Sequence, residues 1–524
     1  MTPDTEASAG PELRRAFKNL VAVGLGQLVG AGLNLLAVVV VARYLGAESY
    51  GHYAYILAVA GLLQLLASAG LDQVVTREIA VHPAGAPRVV GAATSVLWVV
   101  SAICMAAIAV IAHASEAPPE VRHSLYIAGA GVVAAMQAQA LGNVFRALEQ
   151  MDVTSVGFVL HKVALVALAV GAAALGLGLP GMCAAFALAF GLLWAYYFAM
   201  VARHHFWPWP HADVRRWLDL AREAVPLGVA GILRKMTGRI DVLILGALAA
   251  PGAVGHFAAA YKIVEGLALV PLTIGQILFP LLSRSARSAT VLFETVFAVG
   301  VKCLLFLGVP AAIALALSAD RVVRLAYGAD FDAAGPTLAV IGLSVLALFP
   351  SALLPFVFAA LRLQRRYIAA TAVALAVNAA VDVVLVPRQG ALGAAVGLLS
   401  GEAAFLAVGV ALLVPRALGG RLLARLAWRP LVAGGVMAAV VAGVGHAHPG
   451  GLLPSLGVGV LAYAAALVAL GAVSRTELAL IRRELRHRLG SRDAAPPVGD
   501  GQGPRRRAAS VKAAVDEASL RSTG

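Results

Sequence analysis

Apolar residues run in long, nearly unbroken stretches along most of this chain, punctuated by short segments rich in arginine, glycine and proline. A helix needs about 20 mostly apolar residues to cross the hydrocarbon core of a bilayer. Stretches of that kind lie near 18–42, 51–71, 88–113, 124–147, 153–177, 181–202, 224–249, 254–280, 290–316, 334–361, 367–387, 391–414, 430–447 and 452–473. The pattern predicts an all-α membrane protein with about 14 transmembrane helices.

Composition supports this reading. The 524 residues are 60% hydrophobic and 13% charged, about half the charged fraction of a soluble domain. The three cysteines, Cys104, Cys183 and Cys303, stand in apolar runs, which argues against a disulfide framework. The polar N-terminal stretch lacks the cleavage pattern of a signal peptide, so the first span is expected to direct its own insertion. The net charge of +14 does not mark a nucleic-acid surface, because topology accounts for it. Counted along the predicted spans, sixteen arginines fall in the loops on the N-terminal side and five in the opposite loops. By the positive-inside rule both termini are expected to be cytoplasmic.

The two halves resemble each other. Tyr50-Gly51-His52-Tyr53-Ala54 is echoed 204 residues later by Val254-Gly255-His256-Phe257-Ala258. Phe145-Arg146-Ala147-Leu148 is matched by Phe358-Ala359-Ala360-Leu361, and Leu179-Pro180-Gly181 by Ala391-Leu392-Gly393. Six spans per repeat is an even number, so the halves are parallel repeats, two six-helix bundles with a cleft between them. The expected organisation is a cytoplasmic segment 1–17, an N-lobe 18–202, an amphipathic linker 203–223, a C-lobe 224–414 and a basic linker 415–429. Two extra C-terminal helices follow in 430–473, then a basic tail 474–524, amphipathic over Glu477–Leu489 and disordered beyond.

Charges inside a bilayer are costly, and they normally face a protein interior or a water-filled path. Spans seven and eight carry Arg234, Lys235, Arg239, Asp241, Lys262 and Glu265, four cations against two carboxylates. Lys262 and Glu265, three apart, can pair. The surplus of cations points to an anionic ligand, with Arg234, Lys235 and Arg239 as its donors. Gln27 and Asn34, seven apart on span one, and Gln64 on span two offer amides that can hydrogen-bond a ligand or join helices. Lys162 and Lys302 read as snorkelling lysines, Asp382 and Glu402 as an ion-linked pair, and Arg43 as structural. There is no P-loop, no HExxH spacing and no dinucleotide fingerprint, so no enzyme, metal or cofactor is expected.

The segment Ala42-Arg43-Tyr44-Leu45-Gly46-Ala47-Glu48-Ser49-Tyr50-Gly51 resembles the R-x-LG-x-x-x-YG signature of bacterial polysaccharide flippases. These belong to the multidrug/oligosaccharidyl-lipid/polysaccharide exporter superfamily. Arg239–Gly246, with Val254-Gly255 and Ala260-Tyr261-Lys262, is similar to that family's second-half theme. The resemblance implies a flippase for undecaprenyl-diphosphate-linked oligosaccharide, an anionic lipid-linked substrate, working by alternating access. It also implies glycosyltransferases and a polymerase of polysaccharide synthesis as partners, besides the membrane lipids. A lipid II flippase is the nearest alternative. A drug or cation antiporter of the same superfamily is less favoured, because the first six spans hold almost no buried acids.

Overall fold

The computed structural model describes residues 4–472, apart from 68–69, 115–116, 211–212, 289, 414–419 and 448–451. On helices whose backbone is described, the side chains of 4–28, Gln27 among them, and of Arg234 lie outside that description. So does the expected tail helix Glu477–Leu489.

Sixteen α-helices carry the described chain: α1 Asp4–Ala67, α2 Leu71–Val81, α3 Ala86–Ala114, α4 Pro119–Ala147, α5 Met151–Ala174, α6 Gly178–His204, α7 Val214–Leu248 and α8 Pro251–Leu267, then α9 Leu269–Ser288, α10 Thr290–Tyr327, α11 Gly335–Ser351, α12 Leu354–Ala360, α13 Gln364–Gln389, α14 Ala391–Ala411, α15 Gly420–Ala447 and α16 Leu452–Ala469. Among the described residues eleven stretches are long and apolar enough to cross a membrane. One of them, Val29–Leu66, is bent at Gly46 and so holds two crossings. With charged α7 and the shorter apolar helix Pro454–Ala469, each of the fourteen expected crossings has a helix. The protein is an all-α membrane protein.

Several boundaries differ from the expectation for local reasons. The segment 43–50, read as a loop, is helical on both sides of Gly46, whose φ of 71° turns the chain within one residue. Glycine reaches that left-handed conformation without a Cβ penalty. Span eight is broken between α8 and α9, where Pro271 cannot donate to the carbonyl of Leu267. Span ten breaks between α11 and α12, where Pro350 and Pro355 interrupt the ladder in the same way. The expected linker before span seven is in part the first turns of α7 itself.

The repeat is visible in which helices pack together. In the first half α3 packs on α4, α4 and α5 on α6, and α1 on α5. In the second half α10 packs on α11, α11 and α13 on α14, and α7 on α13. These are the same neighbours shifted by six spans. Close packing rests on small residues (Ala128, Ala138, Ala185 and Ala189 in one half, Ala374, Ala394 and Ala395 in the other), all buried. Small side chains let helix backbones approach where no hydrophobic force separates helix from lipid. Several buried hydroxyls close on their own helix, Thr94 on Val90, Thr371 on Tyr367 and Ser344 on Ile341, which satisfies those donors in an apolar layer.

Helix ends gather on two faces. The turns after α2, α4 and α6 carry or adjoin Arg88, Arg146 and Arg203, and form a basic face. On the far face the halves meet. Arg43 donates to the carbonyls of Leu325 and Ala326 at the end of α10, while its neighbour Tyr44 stays within the first half, its hydroxyl accepting from the Gly178 N–H at 3.1 Å. The Phe331 ring packs edge-on against both Tyr50 and His256, which belong to the two echoing motifs. On the basic face Arg77 of α2 pairs with Glu223 of α7. Both side chains are about half exposed (57% and 49%), so a double-mutant cycle on thermal unfolding should give a coupling below about 1 kcal/mol. A larger coupling would mean that this contact, rather than the far face, sets how the halves sit.

Candidate functional site

Between the halves, on the basic-face side of their junction, lies a cavity with two connected parts of about 430 and 310 Å³. Both parts are lined by Gly61, Gln64, Gly238, Arg239, Tyr261 and Glu265. Gly61 stands ten residues below Gly51 on α1, roughly 15 Å into the layer. The larger part adds Gln139, Lys235 and Glu402. The smaller adds Asn34, His161, Lys162 and Lys262.

Local sequence explains how the charges are held. Lys235 and Arg239 lie four apart on α7 and project from one face, Lys235 exposed and Arg239 half-buried. The guanidinium of Arg239 crosses to α1 and lies over Gly61, where any Cβ would collide with it. Gly238 likewise leaves room for the Tyr261 hydroxyl. Lys262 and Glu265, three apart on α8, form an ion pair at 2.5 Å, as their spacing predicts. Glu265 also lies in the field of Arg239 and of Lys162. Among the described residues the lining therefore holds four cations, Lys162, Lys235, Arg239 and Lys262, against the carboxylates of Glu265 and Glu402.

Of the sequence candidates, Lys235, Arg239, Lys262, Glu265 and Asn34 meet around this cavity. The side chains of Arg234 and Gln27 lie outside the described residues. Asp241 requires a correction: it is fully buried, on the side of α7 facing α13, and lines neither part of the cavity. Its Oδ1 accepts from Asn378 Nδ2 at 3.0 Å, and the Asp382 carboxyl lies beside it. The Asp382 carboxyl is pressed against Gly397 of α14, where there is no room for a Cβ. Asp382 is thus the companion of Asp241 and not of Glu402, which approaches the Ser351 hydroxyl at 3.4 Å.

Two contributors escaped the sequence reading. Lys162 was assigned to snorkelling, yet it is the twelfth of the 24 residues of α5. At 1.5 Å per residue neither end lies within reach of its side chain, and that central position was the signal. It donates to Asn34 Oδ1 at 2.8 Å. His161 beside it is buried and packs on the Phe190 ring at 4.2 Å between centroids. Its neighbours come from another helix, so nothing local in the sequence marks it. Chemically, the cavity can take a multivalent anion carrying polar substituents, in a setting where charge-assisted hydrogen bonds are strong.

The sequence profile of a family described as "Polysaccharide biosynthesis protein" matches residues 16–286. No curated protein matches the chain. Among solved structures, the fold is similar to one titled "Lipid II flippase MurJ, inward closed conformation", with a TM-score of 0.69 at 13% identity over 87% of this chain and 99% of that one. It is also similar to an inward-facing multidrug resistance MATE family transporter of the MOP superfamily, with a TM-score of 0.59 at 15% identity over 76% and 95% of the two chains. A MOP superfamily transporter from Pyrococcus furiosus, whose title reports a binding pocket of reverse polarity, gives a TM-score of 0.52 at 15% identity over 75% and 94%. At these identities the likeness is one of fold.

Proposed function

The chain belongs to the polysaccharide biosynthesis protein family, and from that premise we propose that it is a flippase for undecaprenyl-diphosphate-linked oligosaccharide. It would work by alternating access across the bacterial plasma membrane, with both termini cytoplasmic. The observation that carries this reading is the unbalanced cavity between the lobes, four cations to two carboxylates, on the basic-face side of a closed junction. The diphosphate sits among Lys235, Arg239 and Lys262, where guanidinium and ammonium donors replace the water it gives up. The glycan follows into the cavity while the prenyl chain stays in lipid. The lobes then rock, opening the far face and closing the basic one.

A cationic drug is the wrong cargo for such a site, since the first-half wall of the cavity offers Asn34, Gln64, His161 and Lys162 and no carboxylate. Lipid II shares the diphosphate and remains the alternative substrate. Reconstitution separates the two. Purified protein in liposomes should render an undecaprenyl-diphosphate trisaccharide, loaded in the inner leaflet, accessible to external lectin faster than protein-free liposomes do. Movement of lipid II with no movement of the trisaccharide would reassign the substrate, and movement of neither would end the flippase reading.

The driving ion belongs elsewhere in this scheme. Asp241 and Asp382 are enclosed side by side, and apart from each other three of their four carboxyl oxygens meet no hydrogen-bond donor among the described residues. Two carboxylates in a dry interior repel unless a proton or a small cation lies between them. We expect Asp382→Asn to leave diphosphate binding intact while transport loses its dependence on a proton or sodium gradient. Gradient dependence as in the parent protein would remove this pair from the coupling.

A further inference from the structure

Past the cation cluster the cavity continues as its smaller part, about 310 Å³, into the first-half lobe. Tyr53, Phe186 and Phe190 form much of its wall, together with aliphatic side chains of α1 and α5. Lys162, Asn34 and His161 interrupt that wall, and Gln64 stands where it joins the larger part. Lys162 gives one proton to Asn34 and lies 5.7 Å from the centre of the Phe158 ring. No carboxylate among the described residues is within ion-pair distance of it, so its remaining protons and the Asn34 amide N–H groups are available to a ligand. His161 is held by the Ala189 carbonyl through one nitrogen, and its Nδ1 has no partner although the side chain is buried.

Resting on the flippase reading above, we propose that this pocket is the subsite for the sugar joined directly to the diphosphate. A pyranose ring has an apolar C–H face and a polar rim of hydroxyls, and the pocket has the matching halves. The aromatic rings take the face, and Lys162, Asn34 and His161 take the rim. A prenyl tail would bury these three polar groups against hydrocarbon without replacement hydrogen bonds, which is unfavourable. A second phosphate is disfavoured because Arg239 and Lys262, which also line this part, are already assigned to the diphosphate, and that leaves Lys162 as the remaining cation of its described lining. The volume lies at the small end of ligand pockets and suits one ring, so the rest of the glycan extends into the larger part beside Gln139 and Gln64.

The test uses the full chain in lipid nanodiscs and four probes: farnesyl diphosphate, and farnesyl diphosphate carrying one glucose, galactose or N-acetylglucosamine. At least one sugar-bearing probe should bind about tenfold more tightly than bare farnesyl diphosphate, the worth of one or two net hydrogen bonds. Asn34→Ala and Phe190→Leu, which keeps an apolar side chain but removes the ring, should each bring that probe down to the affinity of the bare one. The inference is overturned if no sugar improves binding, or if the improvement survives both substitutions. Arg239→Gln should weaken all four probes alike. Should farnesyl diphosphate bind equally well to that variant, the diphosphate assignment fails, whatever the sugar does.

Discussion

Glutamine in place of Lys235, Arg239 and Lys262 together, with Glu265→Gln to avoid stranding its carboxylate, should abolish surface polysaccharide while the protein still accumulates in the membrane. Each charge-assisted contact to a phosphate is worth about 1.5–3 kcal/mol. Losing three of them weakens headgroup binding by at least about a thousandfold. Structure should survive, because Lys235 is exposed, Arg239 is half-buried, and the Lys262–Glu265 pair is removed as a unit. Arg239→Gln alone should cost about ten- to a hundredfold, since the guanidinium is the one donor of bidentate geometry in the described set. The readout is lectin labelling of whole cells against immunodetection of the membrane-inserted protein. Normal labelling in the quadruple variant would mean that the cations serve only the packing of α7 and α8.

How much of this was legible beforehand depends on the range of the interaction. Spans follow from runs of apolar residues, and the repeat from motifs a few residues long. The Lys262–Glu265 pair is three residues apart on one helix. Each of these is local, and the structure keeps each. The grouping of six charges into one lining was too broad. At 100° per residue Arg239 and Asp241 point some 200° apart on α7, so a helix whose Arg239 faces the cavity must turn Asp241 into its own lobe. Periodicity alone could have divided them. It could not have named Asn378 and Asp382, more than 130 residues away, as the partners of Asp241. Lys162 likewise meets Asn34 across 128 residues. Lys162 and Glu402 join the described lining and Asp241 leaves it, while the Arg234 side chain lies outside the described residues.

Valine at Gly51 or at Gly255 should prise open the far face, with the second-largest effect anticipated for this protein. The two glycines are equivalent positions of the repeat, and they pack reciprocally where α1 crosses α8. A Cβ on Gly51 would enter the carbonyl oxygen of Pro251, and a Cβ on Gly255 would enter that of Ala47. Both obstacles are backbone, so neither can rotate aside, and the helices must separate. Separation would also strain the bonds from Arg43 to the end of α10. Arg43→Ala should therefore push in the same direction, but by only about 1–3 kcal/mol.

A cysteine at Ala58, buried and lining the deep pocket, reports the change when exposed Cys303 is first replaced by serine. In the parent it should resist a membrane-impermeant maleimide applied from the far side; with Gly51→Val it should react, and transport should fall at least about tenfold. The two glycines act through one crossing, so the double substitution should be little worse than either alone. Full additivity, or unchanged labelling, would separate the effects of Gly51 and Gly255 and leave the far face without the pivot on which alternating access depends.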